Sequence, residues 1–174
     1  MTAPRSEFRK AVARVVRRRW QGLEDDPGTR ANLRRAGCIA DVFGVPGFHH
    51  DLLRPAEKIL GRELGDFEAE RLAVVAAVLS HVTKDTGGRT PGDFGRYLGN
   101  PVSRNQPRIS GLRFRRLLSI RDLETLLRTM IRVVRLLQKA CPVIALAEVL
   151  TGWGSDVTRR ELAMEYYAAA PKAA

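Results

Sequence analysis

DFEAERLAVVAAVLSHV, residues 66–82, is the most apolar stretch of this 174-residue chain. Its centre, Leu72 to Leu79, is hydrophobic on every side of a helical wheel, so we expect a helix buried in the middle of the fold. Asp66 is placed to cap the start of that helix. The apolar run is far too short to span a bilayer, which argues against a membrane protein.

Amphipathic helices are predicted on both sides of this segment. Residues 4–23 carry apolar side chains at helical spacing, and Thr90 to Asp93 form a helix start of the capping-box type. Further along, Leu123 to Cys141 is predicted to form a five-turn helix that Asp122 caps and Pro142 ends.

These patterns predict an all-α protein made of two small helical lobes. The stretch 84–111 is rich in Gly, Pro, Ser and Asn, and we interpret it as the joint between a lobe of residues 1–100 and a lobe of residues 101–174. No stretch alternates with period two between hairpin turns, so a sheet is not expected.

The charge of the chain favours a polyanionic partner. Lys and Arg number 30 against 19 acidic residues, which gives a net charge of +11 and an isoelectric point near 10.7. This balance is typical of proteins that bind nucleic acid or an anionic membrane surface. Most of the cations are arginines, whose planar donors grip phosphate through two hydrogen bonds. A GC-rich genome would also explain the excess of Arg over Lys, but not the net charge.

A basic stripe is predicted along the helix of residues 123–141. On a wheel, four cations share one face of this helix: Arg128, Arg132, Arg135 and Lys139. Arg121 falls on the same line just before the cap, and Glu124 is the acid that interrupts the stripe. A solvated helix face usually mixes the two signs of charge, so we interpret this stripe as a binding surface for the nucleic-acid backbone.

RNQPRISGLRFRR, residues 104–116, lies in the most basic part of the chain. From 84 to 121 there are nine basic residues against two acids. Such donors suit phosphate oxygens and sugars and not base edges, although the stretch could also be merely a soluble loop. Its candidate contacts are Arg104, Arg108, Arg113 and Arg116. Arg34 and Arg35 are also candidates, but adjacent helical residues diverge by about 100°, so at most one is expected to face a ligand.

No catalytic, metal or cofactor site is predicted. His49 and His50 are adjacent and do not have the spacing of a helical zinc site, and His81 on the apolar helix is expected to be a satisfied core histidine. Cys38 and Cys141 are far apart in the sequence and indicate neither a disulfide framework nor metal binding. We therefore expect a cytoplasmic protein that is not an enzyme.

The order of several motifs resembles the CasB family, the small subunit of the type I-E CRISPR surveillance complex called Cascade. The motifs are VVAAVLSHV (74–82), SGLRFRRLL (110–118), VVRLLQKACPV (133–143), LTGW (150–153) and RRELAMEYY (159–167). An opening Trp helix followed by an Arg-Arg pair, ARVVRRRWQGLEDDPGTRANLRRA (13–36), adds to the likeness. The resemblance covers about residues 12–168.

This resemblance implies a two-lobed helical protein without nuclease activity. Two copies would lie beside the guide-RNA backbone protein and the other Cascade subunits, including the large subunit. The protein would contact the guide RNA, the target DNA and above all the displaced non-target strand of the R-loop. Carried over by position, the basic surface of the family falls on Arg34 or Arg35, Lys84, Arg113, Arg116, Arg121, Arg132 and Arg135. Arg115 beside Arg116 departs from the family pattern, where a neutral residue is common.

Three alternatives remain open at this point. A helical regulator would read bases with a short recognition helix after a Gly-containing turn, whereas the basic stripe here lies along a long helix. In a pure assembly protein the charge would only aid solubility. A cryptic enzyme is opposed only by the absence of candidate residues.

Overall fold

The computed structural model describes residues 3–172 and confirms the all-α fold class. Helices run as follows: α1 (Ala3–Arg19), α2 (Gly22–Asp25), α3 (Pro27–Arg35), α4 (Ile39–Phe43), α5 (Pro46–Phe48), α6 (Arg54–Leu60), α7 (Asp66–Ser80), α8 (Pro91–Gly99), α9 (Gly111–Leu118), α10 (Leu123–Leu136), α11 (Val143–Thr151) and α12 (Asp156–Ala169). A π-helical turn, His49–Leu53, joins α5 to α6. Within residues 3–172, no helix is long and apolar enough to cross a membrane.

Helix α7 lies at the centre of the fold, as its apolar sequence predicts. Every residue from 71 to 80 is buried, and α3, α4, α10 and α11 pack around this helix. The predicted cap was wrong by one position, because Gly65 occupies the N-cap and Asp66 is the first helical residue. An aspartate in the first turn still interacts favourably with the positive end of the helix dipole.

Both halves of the sequence contribute to one connected hydrophobic core. Helix α1 packs against α11, and α8 packs most extensively against α12. The core therefore crosses residue 100, while the division into lobes at that residue stays a prediction.

Two pairs of very short strands accompany the helices. Strand β1 (Lys84–Asp85) pairs in parallel with β4 (Ala140–Cys141), and β2 (Pro101–Ser103) forms a hairpin with β3 (Gln106–Pro107). The sequence analysis did not predict them, because strands of two or three residues are too short to show alternation.

The predicted end of the long helix was wrong. Helix α10 ends at Leu136, and Gln138 and Lys139 both adopt left-handed backbone, with φ of 55° and 62°. The N–H of Gln138 donates to the carbonyl of Arg135 (3.0 Å), and that of Lys139 donates to Val134 (2.9 Å). This is a Schellman motif, which usually places Gly or Asn where this chain has Gln138. Without that signal, only Pro142 marked an end in the sequence.

Candidate nucleic-acid interface

A cluster of cations surrounds His81, the residue that follows α7. His81 is 7% exposed, and its Nε2 has no hydrogen-bond partner among residues 3–172, so the expectation of a satisfied core histidine was wrong. Burial, and to a smaller degree the nearby positive charges of four side chains, lower the pKa of His81 to about 4. These four form the cationic cluster: Arg135, Arg34, Lys139 and Arg30.

Helix α3 supplies two arginines of the cationic cluster, one turn apart. Arg34 Nε donates to the carbonyl of Ser80 (2.7 Å), and Arg30 Nε donates to the same oxygen (3.0 Å). A second nitrogen of Arg30 donates to the carbonyl of Val82. These carbonyls lie at the negative end of α7, which favours cations there. The sequence analysis missed Arg30, although its spacing of four from Arg34 placed both on one face of a helix.

The short parallel strand pair brings Lys84 beside Lys139. The carbonyl of Lys139 accepts hydrogen bonds from the backbone N–H groups of Thr83 (2.8 Å) and Lys84 (3.2 Å). Both lysines are exposed. Lys139 was predicted on the helical stripe, but it lies beyond the helix and reaches the cluster through the left-handed turn.

Helix α10 carries an exposed row of arginines, the α10 stripe, defined as Arg128, Arg132 and Arg135. None of the three forms an ion pair or a side-chain hydrogen bond with a described residue. Seven residues separate the first from the last, which corresponds to about 10 Å along the helix. Arg135 belongs to both the α10 stripe and the cationic cluster, so the two are continuous.

Glu124, the acid predicted to interrupt the stripe, is turned toward another element. Its Oε1 accepts a hydrogen bond from the backbone N–H of Ile39 (3.0 Å), the first residue of α4. A carboxylate at a helix N-terminus is held both by this bond and by the helix dipole. The acid therefore helps to dock α4 against α10.

Arg121 lies at the other end of α10, where it borders a cleft of about 590 Å³. The cleft is lined by apolar, acidic and basic side chains, Phe67, Glu70 and Arg71 among them. Asp122, beside Arg121, caps α10 as predicted, since its carboxylate accepts a hydrogen bond from the N–H of Thr125 (2.8 Å). That bond lowers the pKa of Asp122 and keeps the cap charged at neutral pH.

The remaining predicted contacts lie elsewhere on the surface. Arg104 is exposed at the turn of the β2–β3 hairpin, and Arg113 and Arg116 are exposed on α9. No interaction within the described part of the chain joins these three to the cationic cluster, and their role stays a prediction.

Two predicted arginines have partners of their own. The guanidinium of Arg108 lies 4.3 Å from the centre of the Tyr97 ring and donates to the Tyr97 carbonyl (3.3 Å). Arg35 Nε donates to the carbonyl of Ala31 (3.2 Å) in its own helix. Arg34 is therefore the member of the Arg34–Arg35 pair that reaches the cationic cluster.

No group suited to metal binding occurs among the described side chains, where no three of His, Cys, Asp and Glu lie close enough to hold an ion. Burial, together with the charge of Asp85, raises the pKa of the Cys141 thiol to about 12. The thiol is therefore protonated at neutral pH and a poor nucleophile.

Comparison with known proteins assigns a family to this fold and surface. The family described as CRISPR-associated protein Cse2 matches residues 29–167, a span that includes the cationic cluster and the α10 stripe. No curated protein and no solved structure matches the chain. The resemblance noted from the sequence motifs is thereby confirmed, and the chain belongs to the CasB/Cse2 family, the small subunit of the type I-E CRISPR Cascade complex.

Proposed function

We propose that the chain is a non-catalytic Cascade subunit that binds nucleic-acid backbone without sequence preference. In the cytoplasm it would stabilise the guide RNA, the target DNA and the displaced strand of the R-loop. The observation that carries this proposal is the continuity of the α10 stripe with the cationic cluster, whose cations come from two distant segments, α3 and the C-terminal end of α10 with the turn after it.

The chemistry of this surface suits phosphate. Arg128 and Arg132 are exposed and form no ion pair with a described side chain, although the charge of Arg128 helps to lower the pKa of Asp122, so their guanidinium groups are available to phosphate oxygens. Contacts of this kind position a strand and carry no sequence information. In an RNA-guided complex, base pairing with the guide already reads the sequence, so a protein surface that holds backbone is sufficient.

The energetic role follows from the balance of R-loop formation. Exchanging a DNA duplex for a guide-target hybrid is nearly neutral in free energy, so protein contacts to the backbone can shift the exchange forward. We propose that the cationic cluster and the α10 stripe contribute such contacts, together with Lys84 and Arg121. The remaining proposed partners are a second copy of the chain, the guide-RNA backbone protein and the large subunit, as membership of the family implies.

A charge-removal variant tests the proposal. Replacing the α10 stripe by Arg128→Gln, Arg132→Gln and Arg135→Gln should weaken binding of a dye-labelled single strand, measured by fluorescence anisotropy over a range of salt concentrations. The logarithmic salt dependence should become shallower by about 0.7 for each lost contact, or about 2 in all. The matched control, Lys58→Gln with Arg160→Gln and Lys172→Gln, removes three exposed cations from other elements and should bind nearly as the parent does.

Two results would contradict the proposal. Unchanged binding by the α10 variant would favour an assembly protein whose charge serves only solubility. A preference of about a thousandfold between unrelated DNA sequences at fixed salt would favour a sequence-reading regulator, since specific and non-specific affinities differ by that factor or more.

A further inference from the structure

Helix α1 presents a second row of cations, the α1 face, which lies before the family match at residues 29–167. At 100° per residue, its four members fall within an arc of about 100°. They are Lys10, Arg14, Arg17 and Arg18, and all four are exposed. None forms an ion pair or a side-chain hydrogen bond with a described residue.

The other arginines of α1 contact other elements. Arg9 pairs with Glu148 at 2.8 Å, and Arg19 lies 3.7 Å from Asp51. Glu7 falls inside the arc of the α1 face, between Arg14 and Arg18 on the wheel. Its charge also contributes to the raised pKa of Arg62, although less than that of Glu68 does. The α1 face thus carries four cations and one acid.

Stabilisation of the helix explains only part of this row. Arg17 and Arg18 lie in the last turn, where cations interact favourably with the helix dipole. Lys10 and Arg14 lie in the middle of the helix, beyond the reach of that effect, which acts within the first and last turns. A row of four like charges also repels itself, by a few tenths of a kcal/mol for each pair spaced three or four residues apart. A polyanionic ligand would remove this repulsion.

The α1 face and the α10 stripe lie on separate surfaces. Helix α1 packs against α11, α11 packs against α7, and α7 packs against α10. Helix α1 also reaches α7 directly, since the guanidinium of Arg5 lies 6.0 Å from the centre of the Phe67 ring, so the buried helix α7 stands between α1 and α10. Each cationic row is on the side of its helix that faces solvent. A short strand held on one row cannot also lie along the other.

We propose that the α1 face binds the phosphate backbone of a second nucleic-acid segment, so that one molecule holds two segments on separate surfaces. This inference rests on the proposed function, because it assumes the same class of ligand. Lys10 and Arg18 are about 12 Å apart along the helix axis, a length that matches two or three phosphates of a strand. In an R-loop, the displaced strand and the guide-target hybrid are two such segments.

A bridging experiment tests this inference. A single strand of about 12 nucleotides, within the range that one small surface covers, is fixed to a support and loaded with the full chain. A second, dye-labelled strand of unrelated and non-complementary sequence is then added. The parent protein should retain the second strand, whereas Lys10→Gln with Arg14→Gln, Arg17→Gln and Arg18→Gln should retain about tenfold less. Arg160→Gln with Lys172→Gln serves as the charge control and should retain it as the parent does.

The outcomes separate this inference from the proposed function. Binding of the first strand by the α1 variant, with loss of the second, supports the inference. Full retention of the second strand by the α1 variant overturns the inference about the α1 face. The α10 variant still tests separately whether the α10 stripe binds nucleic acid. If the α10 variant binds both strands as the parent does and the α1 variant binds neither, the proposed α10 surface is wrong, and the inference that two separate surfaces each hold a segment is overturned. If the parent itself binds neither strand, both proposals fail.

Amine labelling gives a second readout. Lys10 is exposed, so it should react with an amine-reactive reagent in the free protein and be protected once the second strand is bound. Lys172, on another part of the chain, is the internal control and should react equally in both states. Equal reactivity of Lys10 with and without the second strand would contradict a contact at the α1 face.

Discussion

At the scale of single residues, His81 connects the stability of the fold to the cations around it. Its side chain is buried, its Nε2 has no partner among the described residues, and its pKa is about 4 against an ordinary value of 6.5. Protonation would place a fifth positive charge among Arg30, Arg34, Arg135 and Lys139. The imidazole is therefore neutral in the folded protein at neutral pH.

This depressed pKa predicts a loss of stability in mild acid. The unfolded chain takes up the proton near pH 6.5 and the folded chain only near pH 4, so the free energy of unfolding should fall as the pH drops through that interval. The loss should be on the order of 3 kcal/mol, because one pKa unit corresponds to about 1.4 kcal/mol. Urea unfolding at several pH values measures it.

Two variants isolate the contribution of His81. His81→Phe should flatten the pH dependence of the free energy of unfolding between pH 6.5 and 4. The substitution breaks no hydrogen bond at Nε2, because this atom has no partner among the described residues. His50→Gln, at an exposed position, should leave the dependence unchanged. Equal slopes for His81→Phe and the parent would show that groups other than His81 govern this interval.

At the scale of elements, the contact of α8 with α12 depends on glycine. A Cβ built on Gly95 would lie 2.3 Å from the carbonyl oxygen of Leu162, and one on Gly99 would lie 2.3 Å from that of Tyr166. The obstructing atoms belong to the backbone, so a side-chain rotation cannot relieve the clash. The two helices therefore approach more closely than any other residue type at these positions would permit.

Gly95→Ala should accordingly destabilise the protein by about 2–3 kcal/mol, since the added methyl group forces α8 and α12 apart. The matched control is Gly22→Ala at the start of α2, where nothing lies within 4 Å of an added Cβ. This control should be neutral or slightly stabilising, because Ala is the better helix former. Thermal unfolding followed by circular dichroism compares the two, and equal midpoints would contradict the close contact.

At the scale of the whole molecule, one hydrophobic core includes side chains from both predicted lobes. Trp20, in the first half, packs against this core, and Trp153, in the second half, is buried in it. The indole N–H of Trp153 also donates to the carbonyl of Ile120 (3.0 Å). Each tryptophan therefore reports on the packing of its own half.

The shared core predicts a single cooperative unfolding transition. In Trp20→Phe the fluorescence reports Trp153, and in Trp153→Phe it reports Trp20. For each variant, the urea midpoint from fluorescence should coincide with the midpoint from far-ultraviolet circular dichroism. Separate midpoints would show that residues 1–100 and 101–174 unfold as independent lobes, so the same measurement tests the predicted division of the chain.

The sequence by itself determined the fold class, the buried central helix and the family. Apolar periodicity and the continuous apolar run Leu72 to Leu79 are local features of the sequence, and burial of apolar surface dominates folding. The predicted fold class, the buried central helix and the family were therefore all confirmed. The α10 cap at Asp122 was also predictable, because a cap involves residues three positions apart. The row of Arg128, Arg132 and Arg135 on one helix face could be predicted from spacing, but not its proximity to the arginines of α3.

Only the tertiary structure decided which cations lie together. Arg34 is about a hundred residues away from the neighbouring pair Arg135 and Lys139, and the three meet at His81 because α3 and α10 both pack against α7. Glu124 accepts a hydrogen bond at the N-terminus of α4, from a partner 85 residues distant. These arrangements depend on long-range packing of side chains, which no local pattern of charge or hydrophobicity specifies.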